Sequence, residues 1–153
     1  MASSILTTHV GSLPRSKELS ELLFKKDKGE TFDKNLFDEV VKKNVAQVVN
    51  RQLDVGIDVV SDGEMSKISY ATYVKDRIKG FSGESERRAP ADLDDFPEYK
   101  DKIAKSGGTP TYTRPCCTSE LEMQDEGSLK TDIENFSKAL NAKVHSKAFM
   151  NAA

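Results

Sequence analysis

Two short β-branched runs, residues 5–10 and 57–61, each end in a glycine turn, and the clearest apolar stripe of the sequence lies between them. Branched side chains suit strands, and a glycine at each stop permits a backbone conformation that other residues resist. The stripe Leu36, Val40, Val41, Val45, Val48, Val49 and Leu53 steps by three, four and one, as on a helix with one buried face that ends near Gly56. Strand, helix and strand in that order predict a crossover between parallel neighbours. The turns Gly11-Ser12-Leu13-Pro14-Arg15 and Asp62-Gly63-Glu64 then fall at one edge of the sheet. That edge is where α/β folds place their ligands.

The remaining chain extends the alternation. Ser16 stands as an N-cap ahead of Leu19, Leu22 and Leu23, which predicts a short helix directly after the first turn. Tyr70, Tyr73, Val74, Arg77 and Ile78 predict another, closed by Gly80-Phe81. Residues 82–110 read as a charged excursion over the sheet edge, with a short helix at 98–105. A third strand is expected within 109–121, where Cys116 and Cys117 would be small buried strand residues. Leu129, Ile133, Phe136, Leu140 and Val144 mark a helix begun at Ser128 or at a capping box of Thr131 and Glu134, and 146–151 reads as a fourth strand. Four strand candidates with their helices describe an α/β chain that is the first half of a (β/α)8 TIM barrel, truncated, because the full barrel takes about 250 residues. The whole span 1–153 is one partial domain in this reading. Its open strand edges predict self-association.

Composition narrows the function classes. With 153 residues, 37% hydrophobic and 31% charged, the chain has the size of one soluble domain. A net charge of -2, with Lys42, Lys43, Arg87 and Arg88 interleaved among acids, supplies no field for nucleic acid or an anionic membrane. The amino terminus has no signal-peptide pattern, and no apolar run approaches the roughly 18 residues of a membrane helix, so a cytoplasmic location is expected. Adjacent cysteines make a strained disulfide and lack the spacing of a zinc pair.

The segments Thr7-Thr8-His9-Val10-Gly11-Ser12-Leu13-Pro14-Arg15, Gln52 through Glu64, Ile78-Lys79-Gly80-Phe81 and Ala148-Phe149-Met150 together resemble the catalytic barrel of cobalamin-independent methionine synthase, above all its short, single-barrel members. The resemblance runs the length of the chain in the family's order and covers the first half of that barrel. It implies a methyltransferase that moves a methyl group from a folate or another donor to homocysteine, giving methionine, without cobalamin. Val10, Gly11 and Ser12 match the turn that holds homocysteine, and Glu64 matches the acid that binds its amino group. Arg114-Pro115 resembles the segment that contacts the folate, although the neighbouring Arg-Cys pair of the larger synthases stands here as Thr111-Tyr112. The family's catalytic zinc takes a His, two Cys and a Glu from the second half of the barrel, and nothing in this chain matches them. Neither a metal ligand nor a catalytic group is therefore expected within this half, which would be inactive alone.

Physical chemistry supports the clamp independently of the resemblance. A glycine turn before a helix presents N–H groups to a carboxylate, and an opposing carboxylate suits an ammonium. Other polar residues have plainer readings. Asp62 shapes its Asp-Gly turn, Tyr70 and Tyr73 pack, Arg77 suits a surface ion pair as readily as a ligand contact, His9 is not expected to be a ligand, and His145 faces solvent or caps a helix end. Two further functions fit the same residues: a half-barrel module that binds an amino acid or thiol without metal chemistry, and zinc-dependent alkyl transfer to another thiol such as coenzyme M.

Overall fold

The computed structural model describes residues 5–83, 91–105, 115–140 and 147–151. Helix α1 spans Lys17–Asp27, and Ser16 caps it by accepting the Leu19 N–H, as its place in the sequence predicts. Helix α2, Lys34–Asp54, starts at Asp33, whose carboxylate accepts the N–H groups of Asn35 and Leu36. The two helices bury Leu19, Leu22 and Leu23 against Val40, Val41, Val45, Val48 and Val49. Each such side chain contributes roughly 1.5–3 kcal/mol of burial. Phe37 enters this core while Leu36 stays exposed, so the stripe begins one residue later than its spacing predicts.

Strand β1, Val59–Ser61, is the centre of the parallel set. Residue Val59 pairs with Lys147 of β4, Lys147–Phe149, on one side and forms an isolated parallel bridge with Thr8 on the other. The expected strand at 5–10 thus reduces to a bridge, fastened by Val59 N–H to Thr7 O at 3.0 Å and by Thr8 Oγ1 to Val59 O at 2.7 Å. With no neighbour on its outer side among the described residues, Ile5 and Val10 are left exposed. The Asp58 carboxylate secures the same segment by accepting the Thr7 N–H and hydroxyl, which hold it below the usual carboxylate range.

The third expected strand is real but sits elsewhere. Strand β3, Cys116–Met123, pairs antiparallel with β2, Ile78–Ser82, in a sheet of its own, so it adds nothing to the parallel set. Gly80 explains the pairing: a Cβ there would lie 2.6 Å from the Glu120 carbonyl, and its φ of +97° suits only glycine. Because this ribbon covers no core, Cys117 is exposed and Cys116 half-buried, contrary to the expected burial. Helix α3, Tyr70–Arg77, therefore ends before Gly80 and hands the chain directly to β2. Helix α4 spans Pro97–Lys105. The last helix, α5, Gly127–Leu140, is started by neither Ser128 nor the Thr131 box. Asp125 accepts the Gly127 and Ser128 N–H groups together with the Ser128 hydroxyl. The resulting molecule is α/β with parallel strands in one sheet, the parallel members being the Thr8 bridge, β1 and β4.

Candidate functional site

The turn at Gly11 and the turn at Gly63 meet. The Leu13 N–H donates to Gly63 O at 3.1 Å, and Ser12 Oγ donates to Glu64 Oε2 at 2.5 Å. This juxtaposition is a direct result of the bridge between Thr8 and Val59, which fixes the two strand ends side by side. Gly63 is required at its place, because φ is +61° and a Cβ would meet Met65, Leu13 and Val48 at 3.0–3.2 Å. Glu64 follows with φ +57°, an unusual conformation for a residue with a side chain and worth roughly 1–2 kcal/mol of strain. The bonds that Glu64 makes offset that strain.

Those bonds define the site. Glu64 is only 4% exposed, and its second carboxylate oxygen accepts Asn151 Nδ2 at 2.6 Å from the segment just after β4. Arg15 reaches back from the first turn to donate to Glu64 O at 2.9 Å and Lys67 O at 2.6 Å, with a longer 3.4 Å contact to Ser12 Oγ. Burial pulls the Arg15 guanidinium below its ordinary value, and the charges of Glu64 and Asp62 oppose that shift. Asp62 accepts the Glu64 N–H through Oδ1 and is itself 2% exposed. Burial raises its pKa above the usual carboxylate value, against the lowering effect of the Glu64 N–H and Lys67. Lys67 Nζ donates to Asn151 O at 3.2 Å and lies 4.6 Å from the centre of the Tyr73 ring. Tyr73 in turn donates its hydroxyl to Asp132 of α5 at 2.7 Å, so burial and that bond both raise its pKa.

Of the residues singled out in the sequence, Gly11, Ser12 and Glu64 come together, and Val10 stands beside them, 69% exposed. The turn does not open directly into a helix N-terminus, because α1 begins only at Lys17 and Ser16 caps it. Tyr73 packs as expected, while Arg77 stacks its guanidinium 5.1 Å from the Tyr73 ring centre rather than forming an ion pair among the described residues. Arg114 and His145 lie outside the described residues. Arg15, Lys67 and Asn151 are the participants that sequence reasoning passed over. Arg15 closes the quoted turn motif, but no local pattern marks its two carbonyl partners, and Asn151 is 87 residues from its acceptor.

The family model for the "Cobalamin-independent synthase, Catalytic domain" matches residues 5–94, which include both turns. The chain belongs to this family. Among its relatives, a 5-methyltetrahydropteroyltriglutamate–homocysteine methyltransferase of Bifidobacterium longum is 33% identical over 75 residues, 49% of this chain and 10% of the relative. A methionine synthase of Saccharolobus islandicus is 35% identical over 75 residues, 49% of this chain and 22% of that protein. A probable 5-methyltetrahydropteroyltriglutamate–homocysteine methyltransferase of Schizosaccharomyces pombe is 32% identical over the same share of this chain. The matched stretch thus spans a quarter or less of each of these relatives. Among the described residues no three His, Cys, Asp or Glu side chains converge on a metal position. The donors at the two turns, Ser12, Arg15 and Glu64, include no thiolate or imidazole and do not fit the family's zinc. No helix among the described residues is long and apolar enough to cross a membrane.

Proposed function

We propose that this chain carries the amino-acid-holding part of a methyltransferase of the cobalamin-independent methionine synthase type, with homocysteine as methyl acceptor and a methylated folate as donor. The observation that carries the reading is the Ser12–Glu64 hydrogen bond between the two turns. An ionised carboxylate only accepts, so the single Ser12 hydroxyl proton is committed to Glu64. What Ser12 Oγ then offers a ligand is a lone pair beside the Glu64 carboxylate. Two acceptors side by side suit an ammonium group, which brings three donors. The ligand's carboxylate falls to the backbone N–H groups at Gly11 and Ser12, since the Leu13 N–H is already bonded to Gly63 O. This leaves the thiol end of homocysteine facing away from the clamp. The chain's own residues bind and orient the amino acid, and the methyl transfer itself needs groups beyond those described.

Titration calorimetry of the chain with homocysteine tests the reading. Heat of binding is expected for the wild type and absent in Glu64→Ala. No heat in the wild type, or undiminished affinity in Glu64→Ala, overturns it.

A further inference from the structure

We infer that Asn151 is a positioning residue for amine recognition, holding Glu64 in the orientation that meets the ammonium of an amino acid; this rests on the reading of Glu64 given above. Glu64 sits on a turn in a strained conformation, so its carboxylate has no rigid element of its own beneath it. Among the described residues, Ser12 donates to Oε2 and Asn151 to Oε1, and these bonds orient the plane of the group. A side-chain amide nitrogen can only donate, so at 2.6 Å Asn151 fixes the direction in which Oε1 accepts. The Asn151 amide is itself held in place. Its main-chain oxygen accepts Lys67 Nζ at 3.2 Å, and Lys67 is 3% exposed beneath the Tyr73 ring. Parallel pairing of Ser61 with Phe149 brings the segment to that spot. The Thr8 bridge and the ends of β1 and β4 therefore bring Ser12, Glu64 and Asn151 together.

Truncating Asn151 to alanine removes only the bond to Glu64, because the Lys67 contact uses the main chain. The test compares homocysteine with 4-mercaptobutanoate, the same molecule without its amino group, by calorimetry on the full chain, with thermal melts to confirm folding. Wild type should prefer homocysteine, and Asn151→Ala should lower that preference about tenfold, the size of one charge-assisted hydrogen bond. Affinity for 4-mercaptobutanoate should not change. In a Glu64→Gln background, Asn151→Ala should add nothing to the preference. Equal losses for both ligands mean a merely structural role and overturn the inference. A preference that survives Asn151→Ala also overturns it, while leaving the function of Glu64 intact. A wild type that binds both ligands alike removes the ammonium reading of Glu64, and this inference with it.

Discussion

Asp62 and Glu64 are neighbours in one turn, yet their surroundings set them opposite tasks. Glu64 meets donors on both oxygens, whereas Asp62 has one backbone N–H and deep burial. Burial is the larger influence on Asp62, so its folded pKa stands above the unfolded value. The fold accordingly favours the protonated form. Stability from this group is present below the ordinary carboxylate pKa and is lost as pH rises through the raised one. Asp62→Asn keeps an oxygen for the Glu64 N–H but carries no charge. The difference in melting temperature between Asp62→Asn and wild type should therefore grow in the variant's favour from about pH 4 towards neutrality; a difference that does not vary with pH would contradict the assigned environment. At this scale the sequence was readable where chemistry is local. Gly63, Ser12 and the turn-shaping role of Asp62 follow from their immediate neighbours, while Asn151 and Lys67 matter only through contacts that the parallel register creates.

Side-chain amides, as well as apolar packing, hold the elements together. Gln52 on α2 donates to Ser61 O at 2.8 Å and accepts the Ser61 N–H at 3.0 Å, clasping the end of β1 from the helix. Asn44, about two turns further back on the same side of α2, accepts the Ser16 N–H and so sets the start of α1. Both residues are buried polar positions within an apolar stripe. Gln52→Leu should destabilise the chain by about 1–3 kcal/mol for each orphaned Ser61 group, whereas Gln52→Glu retains only the accepting half of the clasp. Chemical denaturation measures the loss, and a stability unchanged in Gln52→Leu would show that β1 is not anchored there. Periodicity revealed α2 because a long helix repeats its pattern many times. It missed the partner of β3, since an antiparallel ribbon and a parallel strand have the same alternation and Gly80 looked like a helix stop. The exposed Cys117 follows from the same misplacement.

Across the whole molecule, the order Thr8 bridge, β1, β4 is what brings separate motifs together. Those segments are far apart in sequence and adjacent in the sheet, so their C-terminal ends present Ser12, Glu64 and Asn151 to one point. The match to the cobalamin-independent synthase family covers the stretch that contains the first two. An amine bound at that point would compete with binding in a cleft of about 630 Å³ bordered by Phe37, Tyr73, Ser128, Asp132 and Asn135. The most direct measurement is carbon-13 NMR of the Glu64 side-chain carboxyl during titration with homocysteine and, separately, with 4-mercaptobutanoate. The Glu64 resonance is expected to move with homocysteine and to stay in place with the des-amino compound. An equal response to both, or shifts confined to the Tyr73 and Asp132 cleft, would contradict amine binding at Glu64.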